Sequence, residues 1–209
     1  MATLGTETID VVLPDGVSTD DVAVSKGPEG NDLVVVKNNV SGLKIDATAA
    51  STGITGKRVS DSTVSAKPSA GETAKVVVET STFKDNTISN DGAGSLEVNV
   101  LAGKFKGSTI ESGKSADSVS FGGSVKVKSA ELSLGKGNDS VTFKGKKVKG
   151  DTTIDLGKGG KDVVVFENAK AANNVTITNI TAKDKFTVGG ETYTGKEVKN
   201  GADVGFEVG

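Results

Sequence analysis

The chain has 209 residues, of which 34% are hydrophobic, with 28 glycines, one tyrosine and no tryptophan. Such a lean sequence cannot fill a wide globular core, although it can fill a narrow core that is one side chain deep. The 25 Lys and Arg residues nearly balance the 27 Asp and Glu residues, which argues against a nucleic-acid-binding protein and against binding to an anionic membrane surface. The lack of cysteine and histidine excludes disulfides, thiolate metal sites and the commonest general base.

The first 26 residues do not share the pattern of the rest of the chain. The opening MATLGTETIDVVLPDG has no basic segment followed by an apolar one, and no run approaches 18 apolar residues. We therefore expect neither a secretory signal peptide nor a membrane span, so that export would need another route. Ile9, Val11 and Leu13 alternate like an edge strand, and a turn follows at Pro14-Asp15-Gly16. Residues 1–26 are predicted to form an N-terminal cap or docking arm.

Residues 27–190 repeat with a period of about 22 residues. In each repeat, apolar side chains alternate with small or polar ones, as expected of strands that bury one face. Each repeat is too small to form a core alone, so the repeats must stack to bury these side chains. Four apolar columns can be aligned: Val76, Val98, Val119, Val141, Val164 and Phe186; Val78, Val100, Phe121, Phe143, Phe166 and Val188; Ile88, Ile110, Leu132, Ile154 and Ile177; and Phe83, Phe105 and Val127.

This repeat predicts an all-β fold, a parallel β-solenoid (β-helix). Leucine-rich repeats have a similar period but require the L-x-x-L-x-L-x-x-N/C-x-L pattern, which is absent. Helical repeats are longer and need a helical periodicity that these Val-, Thr- and Gly-rich segments lack. We expect two or three short strands per coil and about seven to eight coils, which at ~4.8 Å per coil form a rod of roughly 35 to 40 Å.

One coil near the start is predicted to be irregular. The segment GPEGNDLVVV resembles the later KGNDSVTF, which aligns Val36 with the column of Val78 and leaves 42 residues for two coils. We therefore expect an irregular coil over residues 53–69 and regard it as a candidate lateral contact site. Pro68 lacks a backbone N–H and is placed at a corner. The full alignment sets Asn31-Asp32, Val34 and Val36 against Asn138-Asp139, Val141 and Phe143.

The end of the repeat region also departs from the regular pattern. The turn Lys158-Gly159-Gly160-Lys161 contains one extra residue and is predicted to form a bulge. After Gly189-Gly190 the pattern weakens, and residues 191–209 are predicted to form a C-terminal cap. The expected core residues of this cap are Tyr193, Val198, Val204 and Phe206.

A column of aspartates is the first candidate for chemistry. Asp117, Asp139 and Asp162 recur in the turns of successive repeats. Residues 135–141, GKGNDSV, resemble the calcium-binding nonapeptide G-G-x-G-x-D-x-U-x of RTX β-rolls, although Leu134 replaces the first glycine. That resemblance implies calcium held between turns. The sequence favours the alternative that Gly and Asp only form tight corners, so no metal ligand or cofactor is assigned. In that alternative the aspartates are neutralised by Lys114, Lys136 and Lys158.

A column of lysines is a second candidate, for binding a polyanion. Such a stripe is more typical of a solvated face that discourages sticking between rods, and no aromatic residues are interleaved for base stacking. The column consists of Lys84, Lys106 and Lys128, joined by Lys104, Lys126, Lys146, Lys147 and Lys149.

A hydroxyl-rich face is the third candidate. A flat Thr array would suggest ice binding, but Glu111, Glu131 and Asp155 interrupt it, and charge suits an ice-matching face poorly. The two columns are Thr87, Thr109, Glu131, Thr153 and Thr176, and Ser89, Glu111, Ser133, Asp155 and Thr178.

No catalytic residue is predicted. Glycoside-cleaving enzymes with β-helical folds need clustered carboxylates, or an acid beside an arginine, in a groove that binds sugar. Here Arg58 is the single arginine and the acids are spread one per corner. We therefore expect a protein that is not an enzyme.

The units SADSVSF, GNDSVTF and GKDVVVF, with the plain opening MATLGTETIDVV, resemble the knob or horn-like accessory proteins that decorate the capsids of marine cyanophages. This resemblance implies a bacteriophage structural protein on the outside of the virion. Its partner would be the major capsid protein or another virion protein, and it would make weak contact with host-surface glycans. The alternative is an RTX-like bacterial adhesin or surface-layer segment, at the cell surface or secreted, whose folding depends on calcium.

Overall fold

The computed structural model describes residues 2–6, 9–27, 31–48 and 50–209. Over these residues the chain forms 24 strands, a 3₁₀ helix over Ala169–Asn174 and one short α-helix, α1, over Gly195–Lys199. The strands are β1 (Ala2–Thr6), β2 (Ile9–Leu13), β3 (Val22–Lys26), β4 (Asp32–Val36), β5 (Val40–Ser41), β6 (Lys44–Ala47), β7 (Ser51–Ser60), β8 (Thr63–Ala66), β9 (Thr73–Lys84), β10 (Thr87–Asn90), β11 (Ser95–Val100), β12 (Lys104–Lys106), β13 (Thr109–Glu111), β14 (Ser118–Phe121), β15 (Lys126–Lys128), β16 (Glu131–Ser133), β17 (Ser140–Phe143), β18 (Val148–Lys149), β19 (Thr152–Asp155), β20 (Val163–Phe166), β21 (Val175–Thr178), β22 (Lys185–Val188), β23 (Glu191–Thr194) and β24 (Glu207–Val208).

The strands wind into a parallel β-solenoid of about seven coils with a repeat of about 22 residues, as the column alignment predicted. Each coil crosses three faces. The first face contains β4, β7, β9, β11, β14, β17, β20 and β22. The second contains β5, the ends of β7 and β9, β12, β15 and β18. The third contains β6, β8, β10, β13, β16, β19, β21 and β24. Most coils have three strands, but β7 and β9 each cross two faces without interruption.

Strand register confirms all four predicted columns. Val98 pairs with Val76 and Val119 on the first face, and two residues later the next column follows the same pairing. On the second face Phe105 lies between Phe83 and Val127, and on the third the isoleucine column stacks coil by coil. The column residues are buried, except for Val188, which is half-buried beside the C-terminal cap. The core is therefore one narrow strip that runs the length of the rod.

All seven phenylalanines belong to one stack along this core. Neighbouring ring centroids are 5.0 to 6.1 Å apart from Phe83 to the C-terminal cap. Aromatic pairs at such distances contribute about 0.5–1.5 kcal/mol each beyond the area they bury. Phe206 contacts both Phe166 and Phe186, so it joins the cap to the last coils. Phe206, Val198 and Val204 are buried, as expected of cap core residues, and Tyr193 is half-buried.

The predicted alignment of the first coil is wrong by two residues. Asp32 pairs with Thr52, which pairs with Val76, so Asp32 stands in the column of Val141 and not in that of Asp139. The first coil is short, at 20 residues from Asp32 to Thr52, and the second is long, at 24 from Thr52 to Val76. A shift of two residues keeps every inward side chain inward, so the hydrophobic pattern could not detect the error.

The coil over residues 53–69, predicted to be irregular, is irregular in its length only, because its strands pair in regular register. Val59 pairs with Phe83 and Val64 pairs with Ile88, so both lie within regular columns. The extra residues of this coil lie in the turn between β8 and β9. That turn contains Pro68 at a corner, as predicted, and its carbonyl accepts the backbone N–H of Ala93 and Gly94 from the next coil. The lateral contact site suggested for this coil stays a prediction.

Antiparallel strands cover the start of the coil stack. Strand β2 pairs antiparallel with β6 of the first coil, β1 pairs with β2, and β3 pairs antiparallel with β4. Ile9, Val11 and Leu13 of β2 are buried against the first coil. Residues 28–30, at the predicted start of the repeat, lie outside the described residues.

The far end is covered differently. Strand β23 folds back antiparallel on β22, and α1 begins with a capping box formed by Thr194 and Glu197. The chain then returns to the third face as β24, which pairs parallel with β21. The extra residue near Lys158 lies in the turn between β19 and β20, so it lengthens a loop and forms no bulge within a paired strand. In the described part of the chain, no helix has the length and apolar character needed to span a bilayer.

Candidate functional sites: the aspartate ladder and the lysine face

The predicted aspartate column lies inside the rod. Asp117, Asp139 and Asp162 immediately precede strands β14, β17 and β20, at the corner between the third and first faces. Their exposures are only 3%, 1% and 1%. Each is two residues before an inward valine, so the period of two directs its side chain inward as well. These carboxyl groups are therefore part of the core and not of the surface.

Each aspartate accepts a hydrogen bond from the coil before it. The Asp117 N–H donates to Asp139 Oδ1 at 2.8 Å, the Asp139 N–H to Asp162 Oδ1 at 2.9 Å, and the Asp162 N–H to Asp184 Oδ1 at 3.1 Å. At the start, the Leu96 N–H donates to Asp117 Oδ1 at 2.5 Å. We call Asp117, Asp139, Asp162 and Asp184 the aspartate ladder. It gives acceptors to buried backbone N–H groups at a corner of the coil.

Sequence reasoning missed Asp184, although a signal for it was present. Asp184 is two residues before Phe186, the same offset that separates Asp162 from Val164 in the aligned column. In the structure Asp184 ends the ladder: its Oδ2 accepts the Thr181 N–H at 2.6 Å, and its Oδ1 also accepts the Thr181 hydroxyl at 2.9 Å.

The middle of the ladder is incompletely hydrogen-bonded. Asp117 Oδ2 accepts the Gly113 N–H at 3.0 Å, but the Oδ2 atoms of Asp139 and Asp162 are buried without a hydrogen-bond partner among the described residues. Burial is the main cause that raises the pKa of Asp139 to about 7; the Asp117 N–H opposes this rise, and the neighbouring charges of Asp117 and Asp162 contribute to it. Burial likewise raises the pKa of Asp117 and of Asp162.

The lysines expected to neutralise the aspartates do not do so. Lys114, Lys136 and Lys158 are exposed, whereas the carboxylates are directed inward. Within the described ranges, none of the three lysines forms a salt bridge. That part of the prediction is therefore wrong. Backbone N–H groups stabilise these carboxylates instead, and burial raises their pKa because it disfavours the charged form.

The RTX resemblance implies calcium, and the aspartate ladder does not match a calcium site. Calcium takes six to eight oxygen ligands, often from several carboxylates at one level. Here each coil supplies one carboxylate at the corner, and its Oδ1 is already occupied by a backbone N–H. Across the residues that the structure describes, no group of three or more acidic side chains is placed to hold a metal ion.

The predicted lysine column lies on the second face, in two rows. One row contains Lys104 and Lys126, with Lys147 beside them, and the other contains Lys106, Lys128 and Lys149. Phe105, Val127 and Val148 alternate with these lysines and point into the core. We call Lys104, Lys106, Lys126, Lys128, Lys147 and Lys149 the lysine face. Their side chains line a shallow groove above Val127. Lys146 lies in the turn before β18, outside the two rows.

The lysine face has no acidic partners. All six side chains are exposed, and none forms a salt bridge in the part of the chain that the structure describes. The neighbouring coils differ, because Lys84 forms a salt bridge with Asp85. Hydrogen bonds from Ser41 and Ser60 lower the pKa of Asp61, and Lys84 and Arg58 lower it further through their charges. The six lysines without acidic partners thus lie together on the three coils that contain β12, β15 and β18.

The third predicted surface is the hydroxyl-rich one, and it lies on the third face. Thr109, Glu131 and Thr153 stack in register, as do Glu111, Ser133 and Asp155. The acids therefore interrupt the Thr columns as the sequence indicated. Asp155 Oδ1 accepts the Gly157 N–H at 2.7 Å and the Asn179 amide at 2.6 Å, so it also closes a turn.

The three faces thus differ in chemistry. The outward residues of β14 and β17 on the first face are Ser and Thr, the second face is basic, and the third mixes hydroxyls with carboxylates. No protein-family model, curated protein or solved structure matches the chain. Function must therefore be argued from the geometry of these faces and from the physical character of the rod.

Proposed function

We propose that this chain is a non-enzymatic structural protein that decorates the outside of a bacteriophage capsid as a short rod. The observation that carries the proposal is the unbroken core strip, with phenylalanines stacked at 5.0 to 6.1 Å, which makes a stiff rod from a single chain. A solenoid of this kind transmits its stability from coil to coil, because each coil packs on its two neighbours. Such a rod suits a displayed surface element.

The covered ends also support this role. An open solenoid end exposes unpaired backbone groups, which promote end-to-end association. Here antiparallel β2 and β3 cover the first coil, while β23, α1 and Phe206 cover the last. The rod is therefore suited to act as a discrete unit on a larger shell. The partner in this proposal is the major capsid protein or another virion protein.

The test is to locate the protein in particles from its source. Virions are purified through a density gradient at high salt, analysed by mass spectrometry, and labelled with gold-conjugated antibodies against the folded rod. We expect the protein to sediment with the particles and the gold to lie on the capsid exterior. Recovery only in the particle-free fraction, or label on the bacterial envelope, would refute the proposal, and the second result would favour the adhesin alternative.

A further inference from the structure

We propose that the lysine face binds a linear acidic polysaccharide whose carboxylate or sulfate groups lie along the two lysine rows. This surface does not depend on how the rod is attached, so the inference stands apart from the proposed function. Coils are spaced by ~4.8 Å and same-face residues of a strand by ~7 Å, so the six lysines form a regular array. The array spans β12, β15 and β18.

The array is unfavourable unless something neutralises it. Like charges that face each other across neighbouring strands destabilise a sheet. Some lysines elsewhere do have an acidic partner: Lys75 pairs with Glu97 at 3.1 Å, and Lys67 pairs with Asp46 at 2.7 Å. On the lysine face, no such partner is present within the described residues. A bound polyanion would supply the missing charges along the whole array.

The chemistry of the face favours an acidic sugar over a nucleic acid. All six residues of the face are lysines, and Arg58, which shares the row of Lys104, is separated from it by Thr82. Lysine acts as a point charge without the planar fork that holds phosphate in a bidentate way. Single-stranded nucleic acids also need aromatic platforms for base stacking, and the single tyrosine of the chain, Tyr193, lies in the C-terminal cap. The lysine stems above Val127 instead form an aliphatic groove for the less polar faces of sugar rings.

A second copy of the chain fits this face less well. The third face of a neighbouring rod would present Glu111, Glu131 and Asp155 on the corresponding coils. Three acids facing six lysines would leave half of the array unpaired. A polysaccharide with one acidic group per sugar or per disaccharide can satisfy both rows.

The test compares two triple variants that remove the same charge from different columns. The face variant is Lys106→Gln/Lys128→Gln/Lys149→Gln, and the corner variant is Lys114→Gln/Lys136→Gln/Lys158→Gln; all six side chains are exposed. Binding of the full chain to heparin, to polygalacturonate and to neutral dextran is measured by calorimetry at 50 mM and 500 mM salt. We expect the wild type to bind at least one acidic polymer at low salt, to lose that binding at high salt, and to ignore dextran.

For the face variant we expect roughly tenfold weaker binding, and for the corner variant less than a twofold change. The acidic polymer should also raise the thermal midpoint of the wild type and the corner variant but not of the face variant. An equal loss in both variants would reduce the effect to net charge and overturn the proposal. So would the absence of binding to either acidic polymer, tighter binding to single-stranded DNA of equal charge, or self-association in low-salt sedimentation that the face variant abolishes.

Discussion

The backbone N–H of Asp117 donates a hydrogen bond to Oδ1 of Asp139 at 2.8 Å, although the two residues are 22 positions apart in the sequence. The same relationship joins Asp139 to Asp162 and Asp162 to Asp184. A side chain of each coil thus replaces a backbone carbonyl as the acceptor at the corner. This arrangement aligns consecutive coils, and it also places ionisable groups inside a narrow core.

The aspartate ladder makes stability depend on pH. Asp139 has a pKa of about 7 in the folded chain and an ordinary value in the unfolded chain, so the folded state binds more protons between those values. Stability is therefore fully present at low pH and is lost as pH rises through 7. We expect the free energy of unfolding to be about 1 kcal/mol lower at pH 8 than at pH 6, measured by urea denaturation. The chain has no histidine to titrate in this window.

Variants of Asp139 test the origin of that dependence. Asp139→Asn keeps an oxygen acceptor for the Asp117 N–H but cannot ionise. Most of the difference in the free energy of unfolding between pH 6 and pH 8 should therefore disappear. Asp139→Ala leaves that buried N–H without its acceptor and should cost about 1–3 kcal/mol at both pH values. The exposed Asp151→Asn is the matched control and should retain the wild-type pH dependence. A full pH dependence in Asp139→Asn would contradict the assignment.

Metal removal should have little effect on folding. The Oδ1 atoms of the ladder already accept backbone N–H groups, so we expect these carboxylates to be held in place without a cation. We expect excess chelator to move the thermal midpoint by less than ~5 °C, and added calcium to leave it equally unchanged. A larger fall that calcium restores would support the RTX-like alternative for this chain.

An introduced charge should affect stability very differently at neighbouring inward and outward positions of the third face. Leu132 and Ile154 are 2% and 0% exposed, so Leu132→Asp or Ile154→Asp would bury an unpaired charge and should cost more than about 4 kcal/mol, enough to unfold the rod. Thr153 points outward beside Ile154, and Thr153→Lys should change stability by less than about 0.5 kcal/mol. Circular dichroism melts separate the two cases, and comparable damage from both would invalidate the inside and outside assignment.

Alanine substitutions at two glycines of one turn distinguish the cost of backbone strain from the cost of a clash between coils. Gly157 and Gly159 have φ of 74° and 86°, so alanine at either position is strained by about 1 kcal/mol. A Cβ at Gly157 would also lie 1.7 Å from the carbonyl oxygen of Gly135 in the preceding coil, whereas a Cβ at Gly159 would meet nothing within 4 Å. Gly157→Ala should therefore be at least about 2 kcal/mol less stable than Gly159→Ala in urea denaturation. Equal losses of stability in the two variants would show that the coils can move apart at this turn to accommodate the added methyl group.

Alternation within the strands and the repeat length are enough to predict the fold and the chemistry of the faces. Side chains alternate between inward and outward along a strand, and equivalent residues of successive repeats point the same way. Ile110 and Leu132 therefore stack in the core, and Lys106 and Lys128 share an outer face. The same alternation also predicts that the side chains of Asp117 and Asp139 point inward, because each lies two residues before an inward valine. The sequence does not reveal what would stabilise these carboxylates inside the core, because a carboxylate is rarely buried without partners.

The hydrogen-bond partners of these carboxylates, in contrast, depend on how the coils pack on one another. The backbone N–H of Asp117, in the preceding coil, lies 2.8 Å from Asp139 Oδ1 and donates to it. A contact between residues 22 positions apart is set by packing between coils and not by local propensity. The register of the first coil was decided in the same way. Alternation has a period of two, so moving Asp32 from one column to another two residues along leaves the inward pattern unchanged, and the pairing with Thr52 selects between the two arrangements.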